Sequence, residues 1–422
     1  MRILITTDVF PPVCGGSGWS VYELARGLRD RRHDVRILCP VVGGNPRPVE
    51  SFDGFFPLPF HQWAPNVPYA RNYFKNERLY ARLARELKSL IQNEAIDIVH
   101  AQHRLTSPPS ISAANAAGVP VVCTVRDYWP VCYWSDLILD PSADDLCPSC
   151  TVSMMTRCVR PRAGAVWPLS LPMIPYMRGN LARKRRVLSN ATTVIAVSSA
   201  IANDLRARAR EVSEAAIVTI PNPVDVNLVR RVAASRPAPL HGNYGLFVGK
   251  LEMNKGVSKL IAALNRAEFD WPFVVVGDGK ERFRLEEEAR QSGLDVRFVG
   301  WCPRDEVLAW MLHAMLLVFP SRGPESLSRV LLEAGALGTP VAAMDTGGTS
   351  DIVIQEQTGL LAPTVDRLGA DVARLCADAS LRQRLSSAAR KHIDDVFSSG
   401  VVVAQIEALY EQLLNDGSPT VS

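Results

Sequence analysis

Short apolar runs alternate with stretches of helical periodicity along almost the whole chain, and they do so in two series. In the first, Arg2–Thr6, Val35–Leu38, Ile96–His100 and Val119–Thr124 read as strands. Helical spacing appears at Val21, Leu24, Ala25 and Leu28, then over Arg78–Gln92 and Ser110–Ala117. The second series has strands at Val194–Val197, Ile217–Ile220, Gly245–Val248, Phe273–Val276, Val296–Val299, Leu316–Phe319, Val341–Ala343 and Gly359–Leu361. Helices over Ser199–Ala207 and Leu327–Gly335 interleave with them. Strands that alternate with helices pair in parallel, and helices then cover both sheet faces. The expectation is an α/β protein with two Rossmann-like parallel sheets.

The 422 residues suit two or three domains at about 100–200 residues each. A boundary is expected near residues 185–192, giving an N-terminal domain over 1–188 and a C-terminal one over 189–396. A last segment, 397–422, carries Val402, Ile406, Leu409, Tyr410 and Leu413 at helical spacing. The proline- and aromatic-rich stretch Asn45–Asn72 shows little periodicity and reads as a long loop.

No apolar run approaches the roughly 18 residues that cross a bilayer; Leu308–Pro320 is interrupted by His313. The opening MRILITTDVF lacks the basic-then-apolar pattern of a secretory signal, so a cytoplasmic location is expected. Nine cysteines are too few for a disulfide scaffold in a chain this long.

Two segments carry chemistry. In Phe319–Ala334 a strand runs into a polar loop and then an apolar helix. Free N–H groups at that helix start, around Leu327 to Arg329, form a ready anion site. Glu325 and Glu333 flank it. Carboxylates beside a phosphate site are suited to sugar hydroxyls, although both also read as ordinary surface acids. In Leu246–Gly256, Lys250 and Lys255 follow a strand end, as compact charges able to neutralise a diphosphate.

With these pieces stand Gly15-Gly16-Ser17-Gly18, Asp97–His103, Thr124–Trp129, Val194–Ser198, Pro221–Asp225 and Val276–Gly279. Their order over nearly the whole chain resembles the large retaining glycosyltransferase family 4, with the GT-B fold. That resemblance implies two domains facing each other across a cleft and no metal needed for catalysis. A UDP- or GDP-sugar would bind the C-terminal half, and a saccharide or lipid-linked acceptor the N-terminal half. It assigns the reacting centre to Glu325 and Lys255, and Arg126 stands there in place of a family histidine. It assigns the donor to Gly15, Gly16, Lys250, Lys255, Glu325, Ser326, Leu327, Ser328 and Glu333, with Glu325 on the sugar and Glu333 on the ribose. Segment 397–422 would cross back to the first domain. His100 and His103 end a strand and, with Asp127, are candidates to meet the acceptor, although core or turn histidines fit the two equally well. Three positions depart from the family pattern: Lys250 for arginine, Leu327-Ser328 for an aromatic and a glycine, and Arg126 for a histidine. Arginine cannot act as a base, so its expected part is to meet charge on the leaving phosphate, or else to pair with Asp127.

The insert over about 130–186 stands apart. Cys132, Cys147, Cys150 and Cys158 crowd into it, and the Cys147/Cys150 spacing suits a structural zinc or iron–sulfur site. Free thiols or a reversible disulfide fit as well. No acid occurs from Leu146 to Asn203, while eight cations do; the net charge is +4, so the rest sums to −4 (4 minus 8). Apolar Gly164–Met177, kinked by three prolines, precedes the cations. Trp167 and Tyr176 beside Arg178, Arg183, Lys184, Arg185 and Arg186 suggest peripheral docking on an anionic inner membrane face. With no binding module around them, these cations do not suggest nucleic acid. The competing readings are a nucleotide-sugar epimerase of the same fold, a phosphorylase, and a non-catalytic sugar-nucleotide-binding subunit. The phosphorylase is disfavoured by the lack of a pyridoxal-lysine pattern.

Overall fold

The computed structural model describes residues 1–43, 50–67, 70–141 and 146–416. Its first sheet has seven strands: β1 Arg2–Thr6, β2 Asp34–Val42, β3 Leu58–Gln62, β4 Ile98–Ala101, β5 Val121–Val125, β6 Thr193–Ala196 and β7 Ile217–Thr219. They lie in the order β3-β2-β1-β4-β5-β6-β7. The second sheet has β8 Gly245–Val248, β9 Phe273–Val276, β10 Val296–Gly300, β11 Leu316–Phe319, β12 Val341–Met344 and β13 Leu360–Ala362, ordered β10-β9-β8-β11-β12-β13. Neighbours pair in parallel, as β1 does with β2 and β4 and β11 with β8 and β12.

Alternation along a strand decides which layer each side chain meets. Ile3 and Ile5 pack with Val21, Leu24 and Leu28 of the first helix, Gly16–Asp30. Leu4 points to the other face, with Leu79, Leu83, Leu87 and Ile91. Those four residues recur every fourth position along the helix Leu79–Asn93 and are buried. Each such side chain contributes about 1.5–3 kcal/mol by leaving water.

Two expectations change. The stretch Asn45–Asn72 contains β3, and only part of it (45–49 and 68–69) lies outside the described residues. Leu-Pro-Phe-His-Gln looks unlike a strand because of Pro59, but β3 is a sheet edge, where a missing N–H is tolerated. Second, β6 and β7 belong to the first sheet, with Val122 registered on Thr193 and Val194 on Ile217. The sheets therefore divide between Thr219 and Gly245, beyond the boundary expected near 188. Only cross-strand pairing, which a linear pattern does not show, decides that.

The insert folds as a helix Val152–Ala163, a 3-10 turn Gly164–Ser170 and a helix Met173–Leu188. Pro172 and Pro175 fall at the cap and first turn of the last, where proline costs little. The closing helix Ser399–Asp416 packs on the first helix, with Val403 over Gly27.

Candidate active site

Both sheets reverse their winding once. In the first, β2 and β4 flank β1; in the second, β9 and β11 flank β8. Loops at such switch points splay apart and open a crevice at the strand carboxyl ends. The loops after β8 and β11 are the two-lysine segment and the segment holding Glu325. The loops after β1 and β4 hold Asp8, the Gly15-Gly16 turn and His103.

In the second half, the loops after β8 and β11 are locked together. Asn254 O accepts from the amides of Arg322 and Gly323 at 3.2 and 3.0 Å. Gly256 adopts φ +68°, and a Cβ there would lie 1.6 Å from Pro320 O. Only glycine fits this approach. It brings Lys255 Nζ to 2.7 Å from Glu325 Oε1, which also accepts from Ser321 Oγ at 2.6 Å. Glu325 O accepts from the Gly348 amide at 2.7 Å, and a Cβ on Gly347 would strike the same oxygen. Sequence reasoning missed that Gly347-Gly348 turn. Lys250 is exposed. Ser326 stays in the loop and Leu327 is buried in the core. Ser328 caps the helix Arg329–Leu337, which starts two residues later than expected.

Glu333, expected to meet the ribose, is already paired within the protein through one of its oxygens. It is buried, and its Oε1 accepts from Arg304 Nε and Arg329 Nε, both at 3.0 Å. The two guanidiniums also reach Glu23, a fully buried acid of the first helix. Glu23 Oε2 accepts from the Asp225 amide at 3.0 Å. Two arginines and two carboxylates thus join the halves. Burial opposes charge on Arg329, but Glu23 and Glu333 hold its pKa above the usual value. Burial likewise opposes charge on Glu333, yet Arg304 and Arg329 keep its pKa low. The missed signal was Arg329 itself, a cation in a first helical turn, where the macrodipole disfavours it.

In the first half, Gly15 caps the first helix with open space where a Cβ would stand, and Gly16 packs against Arg329 across the cleft. His100 is not a cleft residue: it is fully buried, with Nδ1 bonded to Tyr410 of the closing helix and Nε2 to Thr124 at 2.6 Å. Burial, then the charge of Arg126, pushes its pKa down to about 3. It locks the closing helix to the sheet. Asp127 does not pair with Arg126; its Oδ1 accepts from the Trp129 amide at 2.7 Å, and burial raises its pKa. Arg126 instead donates to Gln102 Oε1.

This crevice, with glycines on one wall and a lysine–carboxylate pair on the other, sits in a chain matched by two family models. Glycosyltransferase Family 4 matches residues 14–228, and Glycosyl transferases group 1 matches 232–392. The chain belongs to glycosyltransferase family 4. Glycogen synthase of Mycobacterium tuberculosis is 28% identical to it, covering 97% of this chain and 94% of the relative. Phosphatidyl-myo-inositol mannosyltransferase of Mycolicibacterium smegmatis is 27% identical, over 99% and 95%. Among solved structures, sucrose-phosphate synthase of Thermosynechococcus elongatus superposes with TM-score 0.71 at 22% identity, over 99% of this chain and 100% of that one. Anabaena HepE in complex with UDP gives 0.68 at 19%, over 98% and 100%. At such identities the superpositions establish the GT-B fold.

On this family 4 scaffold the insert buries part of its cysteines and cations. Cys132, Cys147 and Cys158 are buried and Cys150 half-buried, all free thiols. Among the described residues no group of three or more His, Cys, Asp or Glu is placed to hold a metal ion. Cys147, Cys158 and Cys150 pack with Met155, Ile174 and Met177, and Cys132 belongs to the core cluster that includes Tyr128 and Trp129. Burial pushes the Cys150 thiol up to about 11. Lys184 is buried over the Tyr133 ring, Arg185 donates to Pro130 O, and Tyr176 donates to Glu77. Of these three Lys184 is turned away from solvent, while Arg185 and Tyr176 are half-buried. Arg183 is exposed but paired with Glu77; Arg178 and Arg186 are exposed. Exposed apolar residues of the insert include Leu146, Val152, Val166, Leu169 and Leu171, and Trp167 is half-buried. No helix among the described residues is long and apolar enough to cross a membrane.

Proposed function

We propose that this protein is a retaining hexosyltransferase that moves a hexose from a UDP- or GDP-sugar to a hydroxyl of a saccharide or lipid-linked acceptor. The observation that carries the reading is the Lys255–Glu325 pair beside the start of the helix Arg329–Leu337. In this reading the diphosphate lies between Lys255, Lys250 and the free amides of that helix. It draws Lys255 off Glu325, which then accepts hydroxyls of the sugar. Glu333, whose Oε1 serves the arginines, takes a ribose hydroxyl on its other oxygen. Gly15 lets the opposing backbone close over the donor. Negative charge grows on the diphosphate oxygen as the glycosidic bond breaks, and fixed cations there favour the transition state over the ground state.

The mycobacterial relatives, named as a glycogen synthase and a mannosyltransferase, support a hexose donor. The UDP-bound HepE fold supports a nucleotide diphosphate. A lipid-linked acceptor is favoured by the exposed Val166, Leu169 and Leu171 and the exposed Arg178 and Arg186 of the same insert, which would dock peripherally on an anionic membrane. A thermal-shift panel of UDP-, GDP- and ADP-sugars tests donor binding, because a ligand of the native state raises Tm. Proton NMR of the product then reads the anomer. An inverted linkage refutes retention, and no shift with any nucleotide sugar refutes the donor pocket.

A further inference from the structure

The N-terminal half buries a cation that no acidic side chain among the described residues neutralises. Arg126 follows β5 and is 8% exposed; Gln102 and His103 follow the adjacent β4 and are 0% and 9% exposed. Arg126 Nε and Nη2 both donate to the amide oxygen of Gln102, a neutral partner. Among the described residues the one charge acting strongly on Arg126 is the like charge of Arg329, and burial followed by that repulsion pushes its pKa down to about 9. Three polar atoms here are shut off from water without a hydrogen bond: Arg126 Nη1, Gln102 Nε2 and His103 Nε2.

Their chemistry is specific. The Thr7 hydroxyl donates to Val9 O at 2.7 Å, so the 2.9 Å contact with His103 Nδ1 has the imidazole donating. Burial holds the ring neutral, which leaves Nε2 as an acceptor. Arg126 Nη1 and Gln102 Nε2 are donors. Buried polar groups are rarely left unpaired, and a buried charge least of all. A neutral hydroxyl would fill the hydrogen bonds but leave the charge, whereas an anionic oxygen answers both. The diphosphate is already served by Lys255 and Lys250 on the opposite half.

We propose that Arg126 and Gln102 bind an anionic substituent, a carboxylate or a phosphate, carried by one of the two sugars, while His103 accepts from a neighbouring hydroxyl. This rests on the glycosyl-transfer reading and names a substrate class within it. Arg126 is then a specificity residue, which explains why a buried arginine is kept at this position.

The test compares wild type, Arg126→Gln and Arg126→Lys by calorimetry and thermal shift. UDP-glucuronate is set against UDP-glucose for the donor side, and glucose 6-phosphate against glucose, with UDP present, for the acceptor side. One anionic sugar should bind wild type at least tenfold tighter than its neutral counterpart. The gap should close in Arg126→Gln and survive in part in Arg126→Lys, and the side on which it appears identifies the anionic sugar. Without ligand, Arg126→Gln should melt no lower than wild type, since it removes an unpaired buried charge. Equal binding of charged and neutral sugars to wild type on both sides overturns the inference. So does Arg126→Gln weakening UDP itself by the same factor; Arg126 would then touch the diphosphate, and the donor reading would stand without it.

Discussion

At the scale of single residues, Lys255 and Glu325 act on each other before any substrate arrives. Their 2.7 Å contact is partly solvated, with side chains 32% and 13% exposed, so it contributes little to stability. Its consequence is positional: the pair stores a cation and a carboxylate where a diphosphate and a sugar would part them. Glu325→Ala and Lys255→Ala should each lower turnover at least tenfold, about 1.4 kcal/mol of transition-state stabilisation, with little change in Tm. Steady-state rates with the donor chosen by thermal shift check this; wild-type rates in both variants refute the site. Asp8, at the end of β1, tests the other wall. Burial raises its pKa from 3.8 to about 6, against the amides of Leu105 and Thr106 that favour the ionised form. A raised carboxyl stabilises the fold fully below pH 3.8, and that contribution is lost as pH rises through about 6. From pH 4 to 7, wild type should therefore lose stability relative to Asp8→Asn, whatever fixed cost the amide carries. A flat difference in urea midpoint across that range contradicts the assignment.

At the scale of elements, the active-site loops depend on close backbone approaches that only glycine permits. At Gly256 an added methyl meets Pro320 O in a left-handed conformation, so loop and strand end must separate. Gly256→Ala should cost about 1–3 kcal/mol and also reduce turnover, because Lys255 moves with its neighbour. An unchanged urea midpoint would mean the loops are not locked. The 3-10 turn Gly164–Ser170 tests the membrane reading in the same spirit. Leu169 is 77% exposed, so Leu169→Asp should fold normally yet lose co-flotation with anionic liposomes. If wild type itself stays with the soluble fraction, docking is refuted.

Much of this level was legible in advance. All twelve expected strands exist, because a fully covered parallel strand is a continuous apolar run. The Lys255 and Glu325 loops stood out as polar turns between such a run and a helix. Less legible were residues whose meaning depends on a distant partner. Glu23 lies among Val21, Tyr22 and Leu24 in the first helix, and nothing local tells a buried acid from a solvated one. His100, which ends a strand, fits a cleft or a core histidine equally well, and Tyr410, 310 residues away in sequence, decides for the core.

At the scale of the molecule, the halves are held by contacts drawn from far along the chain. The closing helix returns to the first helix, the His100–Tyr410 bond pins it, and the cluster of Glu23, Arg304, Arg329 and Glu333 spans the cleft. Breaking one member of a buried ion cluster strands its partner's charge, which costs about 3 kcal/mol or more. Glu23→Gln should lower stability by that amount in urea unfolding. It should also enlarge the radius of gyration in small-angle scattering, as the halves part. A variant with wild-type dimensions and stability would mean the cluster does not hold the cleft.

Local patterns along the chain determined the secondary structure, the pairing of two α/β halves and the loops that bear the charged residues, because periodicity and turn chemistry act between near neighbours. The tertiary structure alone decided where one sheet ends and the next begins, that Lys184, Cys132, Cys147 and Cys158 face inward, and that Arg126 is buried with no counter-ion among the described residues. Burial and pairing are properties of the assembled surface, and a residue's charge has no fixed meaning until its surroundings have been chosen.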